Sequence, residues 1–146
     1  MAPIGATSGP TATDGGRRPD VELRVPADRA YASVLRTTTA GLAARLDFPI
    51  DDIEDLRIAV GEACAMVLEE AERGTDLLCG FFQRPGELTV SVSGDVDGAI
   101  EPDYDSFAWQ VLTTLATSAS AEASDSTFTI TLAMTSSVAS RQEPGL

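Results

Sequence analysis

Glu62 and Met66 stand four residues apart in the segment IEDLRIAVGEACAMVLEEA, residues 53–71. On a helix this spacing stacks the two side chains one turn apart, and we expect them on the face away from the apolar stripe. Two interpretations are open: the helix is the wall of a nucleotide site that has lost an amide, or it never bound a nucleotide. A glutamate on such a face is usually solvated, and a methionine can fill a packing gap or contact a protein partner.

Histidine is absent from the chain, which removes the commonest acid/base at neutral pH and the commonest metal ligand. Cys64 and Cys79 are the only two thiols, so a zinc site of cysteine and histidine cannot be built. Both thiols are expected to be reduced and buried as small side chains. The acidic stretch GDVDGAIEPDYD (94–105) has the composition of a calcium loop but lacks its ligand spacing.

The charge balance indicates the class of partner. Acidic residues number 23 and basic residues 10, giving a net charge of −13. This charge repels phosphate backbones and anionic lipids, so we expect neither nucleic acid nor membrane as partner, but a protein with a basic face. The first residues, MAPIGATSGP, lack the basic start and apolar core of a secretory signal, and no run of about 18 apolar residues occurs. We therefore expect a cytoplasmic protein.

Hydrophobic periodicity predicts the order strand, helix, helix, strand, strand, helix, strand. These elements cover residues 21–26, 28–46, 53–71, 76–83, 87–94, 106–116 and 127–134. Because two neighbouring strands form a hairpin, the order favours an α/β two-layer sandwich, in which a mixed, mostly antiparallel sheet carries helices on one face. The flanking residues 1–19 and 135–146 are predicted to be a flexible arm and tail around one domain, residues 20–134.

Several local signals refine this order. The expected N-caps are Asp28, Asp51 or Asp52, and Ser106. In the third helix Phe107, Val111, Leu112 and Leu115 are expected to share a face, with Trp109 in the core or at a dimer edge. Residues 117–127 are predicted to be a polar linker.

The second helix and its neighbours point to a family. The segment DLRIAVGEACAMVLEEA, which follows ADRAYASVLRTTTAGLAARL and precedes a hairpin, resembles the RsbW-type anti-sigma factors, which are serine kinases of the GHKL ATPase fold. The resemblance covers about residues 20–134. SFAWQVLTTLA followed by FTITLAM is similar to the actinobacterial, UsfX-like branch. The family signature is E-x-x-x-N, and Glu62 matches its glutamate while Met66 stands in place of its asparagine.

The resemblance implies a role for each matched position. Glu62 stands where the family's glutamate orients the attacking hydroxyl or takes its proton, so it is the candidate catalytic residue. The family's asparagine helps to hold magnesium, for which a thioether is a poor ligand. Gly94 lies near the position of an aspartate that recognises adenine, and residues 99–120 contain no glycine for a phosphate lid. The candidate cofactor-binding residues are Glu62, Met66, Asp95, Asp97 and Gly98.

We therefore predict no metal site and no bound cofactor, with ATP and magnesium as the alternative. Arg36, in SVLRTTT, matches an arginine that in the family contacts both the sigma factor and its STAS-domain anti-anti-sigma antagonist; otherwise it is a solvated helix charge. The resemblance implies an anti-sigma factor, a homodimer, that sequesters an alternative sigma factor. The alternatives are an active serine kinase acting on the antagonist, and an acidic interaction domain with an unrelated partner.

Overall fold

The computed structural model describes residues 16–138. In this range the chain forms five strands, β1 (Val21–Pro26), β2 (Asp76–Arg84), β3 (Glu87–Asp95), β4 (Ser118–Ala123) and β5 (Thr127–Thr135). It also forms three α-helices, α1 (Ala32–Arg45), α2 (Ile50–Glu70) and α3 (Phe107–Leu115). A 3-10 turn over Arg29–Tyr31 precedes α1, and Asp28 caps this turn by accepting a hydrogen bond from the Ala30 amide at 2.9 Å.

The strands form one sheet in the order β1-β2-β3-β5-β4. One face is apolar: Phe81 pairs with Val90, Val90 pairs with Leu132, and all three are buried beneath the helices. The other face is more polar, since the hydroxyls of Ser93 and Thr129 share a hydrogen bond of 2.7 Å. The predicted α/β two-layer sandwich is confirmed. Its sheet, predicted to be mostly antiparallel, is antiparallel at every described pair.

Helix α2 is the centre of the helical layer. It packs between α1 and α3 and lies on β3 and β5. Leu56, Val60, Ala63 and Val67 are fully buried, and their spacing of three and four residues places them on one side of the helix. The apolar stripe that the sequence predicts for this segment is therefore the side that α2 turns to the sheet.

The start of α2 differs from the prediction. The helix begins at Ile50, with Pro49 as its N-cap and no side-chain cap, so neither Asp51 nor Asp52 caps it. Pro49 has the extended conformation that precedes a helix, with φ −64° and ψ 157°, and it sets the start before the two aspartates. Asp52 instead accepts hydrogen bonds from the amide and hydroxyl of Ser137, at 2.7 and 2.9 Å. These bonds tie the end of the described chain to α2.

The predicted linker over residues 117–127 contains the edge strand β4. β4 pairs with β5, with Ala119 opposite Leu132 and Ala121 opposite Ile130. The linker prediction is wrong because SASAEA alternates residues that are all small or polar, with little strand propensity of their own. Pairing with a neighbouring strand supplies the hydrogen bonds that this local signal does not indicate.

Helix α3 begins as predicted but turns one aromatic ring outward. Ser106 caps it by accepting from the Trp109 amide at 3.1 Å, and Trp109 packs against the core. Leu112 is fully buried, whereas Phe107 is 77% exposed. Five residues correspond to about 140° around a helix axis, so these two side chains cannot share a face, and the predicted grouping is wrong for Phe107.

The predicted arm (1–19) and tail (135–146) lie mostly outside the described residues. Where the arm is described, Arg17 donates a hydrogen bond to the Gln83 carbonyl at 3.2 Å. Its guanidinium also lies 5.9 Å from the centre of the Phe82 ring. The chain just before β1 therefore runs beside β2 and packs against it.

Candidate functional site

A cavity of about 240 Å³ opens between the second half of α2 and the loop that joins β3 to α3. We refer to it as the Met66 cavity. Its walls come from α2, this loop, the start of α3 and β5. The lining residues are Ala65, Met66, Glu69, Glu70, Ile100, Glu101, Pro102, Asp103, Ser106, Ala108 and Phe128. The cavity therefore joins the two segments of the chain that carry the E-x-x-x-N position and the acidic loop.

Met66 is more buried than the sequence predicts. Its side chain is 8% exposed and belongs to the hydrophobic core, whereas Glu62 is half-buried. Of the two roles that the sequence leaves open for Met66, a packed side chain and a contact for a partner, its burial supports the first. The physical reason is that α3 packs against α2, so α2 is covered on a second side that its own sequence pattern does not indicate.

The Met66 cavity is acidic. Neither lysine nor arginine is among its lining residues. The four carboxylates that line it are all exposed: Glu69, Glu70, Glu101 and Asp103. Its apolar wall is formed by Met66 and Phe128. Within residues 16–138, no three cysteine, aspartate or glutamate side chains are grouped closely enough to hold a metal ion. Such a lining attracts cationic groups and repels phosphates.

Of the five predicted cofactor-binding residues, Met66 alone lines this cavity within the described part of the chain. Asp95 and Asp97 are exposed at the end of β3. The amide of Gly98, which has a φ of +94°, donates to the carbonyl of Asp125 at 3.2 Å. This loop is thus bonded to the turn between β4 and β5. The structure does not bring these three residues, or Glu62, into the Met66 cavity.

Gly94 stands where no side chain fits. A Cβ there would lie 2.8 Å from Cγ1 of Val67 and 3.3 Å from Cδ2 of Leu77, and real Cβ atoms essentially never come as close as the first distance. Both neighbours are buried core side chains, so they have little room to move. The glycine therefore serves the packing of α2 on the sheet.

A second cavity, of about 560 Å³, lies between the 3-10 turn, α1 and α2. We refer to it as the arginine groove, and it is lined by Ala27, Arg29, Ala32, Arg36, Gly61, Ala65, Leu68 and Glu69. Arg36 is half-buried and lies across α2 at Gly61, where a Cβ would be 3.4 Å from Cδ and 3.7 Å from Nη1 of the arginine. The groove shares Ala65 and Glu69 with the Met66 cavity.

The sequence singles out Arg36 but neither Arg29 nor Gly61. A signal for Gly61 exists, because glycine is a poor residue for a helix interior and an isolated one calls for a packing reason. Arg29 stands seven residues before Arg36, a spacing of two turns on a continuous helix. Because Arg29 lies in the 3-10 turn and Arg36 in α1, the sequence spacing alone does not predict that both line one groove.

The two cysteines are buried and free. Burial raises the pKa of the Cys64 thiol, and the nearby Arg36 guanidinium partly offsets this effect. Burial, with a smaller contribution from Cys64, raises the pKa of the Cys79 thiol to about 12. Both side chains are therefore protonated thiols at neutral pH, and such thiols are poor nucleophiles.

No helix in residues 16–138 combines the length and the apolar character needed to cross a membrane.

No family model matches the chain. It is 33% identical over 78 residues to a protein named serine-protein kinase RsbW from Bacillus thuringiensis, a match covering 51% of this chain and 49% of that protein. A protein of the same name from Bacillus cereus is 43% identical over 78 residues, with the same coverage of both. The chain thus spans about half the length of the curated relatives it matches.

The fold is similar to the crystal structure of the RsbU and RsbW domains of Rv1364c from Mycobacterium tuberculosis, with a TM-score of 0.63. The match covers 82% of this chain and 34% of that one, and at 17% identity it shows the fold alone. The curated relatives confirm the RsbW-type resemblance predicted from the sequence. The structural match agrees with the predicted GHKL-like fold class.

Proposed function

We propose that this RsbW-type chain is a cytoplasmic anti-sigma factor that binds an alternative sigma factor and keeps it from RNA polymerase. A STAS-domain anti-anti-sigma factor releases the sigma factor by competing for the same surface. The resemblance of α1 and α2 to the RsbW-type anti-sigma factors supports the proposal, and the curated relatives are RsbW proteins. Sequestration needs a stable complementary surface and no catalysis, so it does not depend on a working nucleotide site.

The acidic Met66 cavity is the observation that carries the proposal of binding without catalysis. A nucleotide in this cavity would bring its phosphates among four carboxylates with no lining arginine to offset the repulsion. Met66 offers a thioether where the family has an amide oxygen, and magnesium prefers hard oxygen ligands. The carboxylates do not replace that amide, because among the described residues no three of them converge on one point. These residues do not fit a magnesium nucleotide.

Gly94 supports the same conclusion. The family places an adenine-binding aspartate near this position, and here even a Cβ would collide with Val67. Asp95 and Asp97, the two substitutes that the sequence offers, are exposed and do not line the Met66 cavity. Phosphoryl transfer depends on positioning and charge neutralisation, so we propose that the chain has lost kinase activity.

Arg36 supports the partner-binding half of the proposal. Its guanidinium lies over α2 beside an open groove, and within residues 16–138 it forms no ion pair. An arginine fork can engage a carboxylate through two parallel hydrogen bonds, which suits a specific contact. A guanidinium held on a helix surface without a carboxylate is available to a partner.

The test is binding of the purified chain to each sigma factor of its host, without nucleotide. We expect one sigma factor to co-elute, a STAS-domain antagonist to displace it, and Arg36→Ala to weaken the complex. Arg45→Ala is the matched control, since Arg45 is exposed near the end of α1 and does not line the groove. Light scattering on the chain alone tests the homodimer that the family implies. The proposal fails if no sigma factor co-elutes.

An active serine kinase is the second candidate, because the curated relatives carry that name and Glu62 retains the family's glutamate. This candidate requires magnesium-dependent ATP binding and phosphorylation of the antagonist, with the phosphorylation lost in Glu62→Ala. Calorimetry at high protein concentration distinguishes the two functions. Absence of heat on adding ATP and magnesium would rule the kinase out.

A further inference from the structure

We infer that the Met66 cavity receives a lysine or arginine side chain of the protein partner. The aliphatic stem of that side chain packs on the apolar wall of the cavity, and its cationic head lies among the exposed carboxylates. The inference rests on the proposed function, since it takes the chain to act by binding another protein. It gives the cavity a ligand in place of a nucleotide, and it names the chemical class of the group that the partner presents there.

The wall of the cavity suits an aliphatic stem. Met66 and Phe128 are 8% and 2% exposed, and Ile100 and Pro102 of the facing loop are half-buried. Methionine is flexible and adapts its shape to the group that it contacts. Lysine and arginine bury their methylene groups on such surfaces while the charged head stays in water. The cavity therefore matches a side chain that is apolar along its length and positively charged at its end.

The four carboxylates of the cavity are not neutralised by the described chain. Within residues 16–138, none of them forms an ion pair. The carboxylate of Asp103 accepts a hydrogen bond from the Asp105 amide at 3.0 Å, which holds it beside the start of α3. Like charges gathered around one cavity repel one another, so a cation placed among them is attracted by all four.

Two of these carboxylates stand where α2 itself disfavours them. Glu69 and Glu70 are the last two residues of the helix, and its last turn contains no basic residue. The carbonyl groups at a helix C-terminus carry partial negative charge, so carboxylates there are destabilising and cations are stabilising. Sequences break such local rules mainly at functional sites. A cation bound at the end of α2 would relieve this unfavourable arrangement.

The surface beside the cavity favours a protein over a free cation. Phe107 stands between the lining residues Ser106 and Ala108 and is 77% exposed. Tyr104 is 52% exposed, and the centre of its ring lies 5.2 Å from that of Trp109 in a T-shaped contact. Exposed aromatic side chains around a pocket are typical of protein interfaces. A metal ion is disfavoured, because within residues 16–138 no three acidic side chains are grouped closely enough to hold one.

The site is tested on the full chain with a capped tetralysine peptide, followed by the NMR shifts of backbone amides. We expect saturable shifts centred on Ala65, Met66 and Ala108, which line the cavity. A capped tetraglutamate peptide is the charge control and should leave these signals unchanged. Shifts spread over the whole surface, or centred elsewhere, would overturn the inference, because they would show attraction to the net charge alone.

A matched pair of double variants tests the carboxylates. Glu70→Gln with Glu101→Gln should weaken tetralysine binding about tenfold or more. Glu54→Gln with Glu122→Gln removes the same charge at two exposed positions outside the cavity, and it should bind within about twofold of wild type because distant charges are screened. Equal weakening in both double variants would contradict a site in the cavity.

The aliphatic stem is tested by a peptide in which 2,4-diaminobutyrate replaces each lysine. This change keeps the charge and shortens each stem by two methylene groups, so we expect binding to weaken about fivefold or more. Equal affinity of the two peptides would mean that no stem packs on the wall. Spermidine represents a free cation, and if it binds at the same amides as tightly as tetralysine or more tightly, the cavity is a polyamine site instead.

The inference and the proposed function fail in different ways. If no sigma factor binds, but tetralysine binds the cavity and Glu70→Gln with Glu101→Gln weakens it, the proposed function is wrong and the cationic site stands. If a sigma factor binds wild type and this double variant equally well, the proposed function stands and the cavity is not a site of contact with the partner.

Discussion

Met66 has two environments, the apolar core behind it and the acidic Met66 cavity in front of it. Its side chain is 8% exposed, and it shares the cavity wall with Phe128. A methionine suits this position because it is flexible and apolar and makes no demand for a hydrogen bond. The residue that breaks the family signature is therefore also a residue of the core, and replacing it affects stability as well as ligand chemistry.

We predict that Met66→Asn destabilises the protein and does not create a nucleotide site. The amide would be largely buried beside Phe128 and would lose the packing of the thioether, which we expect to cost about 2 kcal/mol or more. The four carboxylates and Gly94 remain unchanged, so adding ATP and magnesium should give no heat. Urea unfolding and calorimetry measure the two effects, with Met66→Leu as the control that keeps the packing. Nucleotide binding by Met66→Asn would mean that the rest of the pocket is intact.

The Cys79 thiol makes the free energy of unfolding decrease as the pH rises into the alkaline range. Its pKa is raised by burial from 9.0 to about 12, so between these values the folded chain keeps a proton that the unfolded chain loses. Below about pH 9 the raised pKa makes its full contribution to the free energy of unfolding. Between pH 9 and pH 12 this contribution falls by about 1.4 kcal/mol per pH unit.

The measurement is the urea midpoint of wild type and Cys79→Ala at pH 8, 9 and 10. The two curves should converge as the pH rises, because the variant lacks the titrating thiol. Parallel curves over this range would show that the pKa of Cys79 is not raised in the folded state.

At the scale of the elements, α2 organises the molecule because it contacts both other helices and the sheet. Its ends and faces are fixed by neighbours as much as by its own residues. Ser137 donates hydrogen bonds to Asp52 in the first turn of α2. Arg36 lies across α2 at Gly61, and Val67 of α2 packs against Gly94 of the sheet. Two glycines thus set how closely an arginine and a strand approach one helix.

We predict that Gly94→Ala destabilises the fold by about 1–3 kcal/mol, because the new methyl group would overlap Val67 and force the helix or the strand to shift. The reference variant is Gly41→Ala, where no atom lies within 4 Å of the new Cβ. This variant should be stabilised by up to about 1 kcal/mol through better helix propensity. Urea unfolding of both variants gives the comparison. A neutral Gly94→Ala would mean that α2 does not press on β3 at this position.

Local patterns predict the elements where side chains are large and alternate clearly. The strands that carry Val90 and Ile130 and the apolar stripe of α2 follow from periodicity alone. β4 could not be predicted, because SASAEA acquires its strand conformation only through pairing with β5. The exposure of Phe107 depends on which side of the short helix α3 packs against α2. The burial of the second side of α2 likewise depends on packing by α3, and the sequence of α2 alone does not indicate this packing.

The candidate site was predictable only in part, for the same reason. The spacing of Glu62 and Met66 marks the helix, and in the structure Met66, but not Glu62, lines the Met66 cavity. The loop residues that face Met66 come from Ile100–Asp103 rather than from Asp95–Gly98, since Gly98 is bonded to the turn before β5. The approach of Arg36 to Gly61 is a contact between two helices, which spacing along one helix cannot reveal.

At the scale of the whole molecule, charge and local chemistry play different parts. A net charge of −13 acts over the distance of an approaching protein, whereas the two guanidiniums of the arginine groove act only at contact. If the proposed function holds, the net charge acts on the approach of a partner with a basic face, and Arg36 acts once that partner is in contact. Long-range charge affects mainly the rate of association, and a buried charge contact affects mainly the rate of dissociation.

We predict that salt and groove variants change different rate constants for sigma-factor binding. Raising the salt from about 0.05 to about 0.5 M should lower the association rate constant about tenfold or more, with little effect on dissociation, because the Debye length shortens severalfold. Arg36→Ala should instead speed dissociation about tenfold at either salt. Stopped-flow or surface kinetics on wild type, Arg36→Ala and the control Arg45→Ala separate the two effects. An association rate that does not change with salt would contradict steering by the net charge, because a partner attracted to that charge must lose the attraction when it is screened.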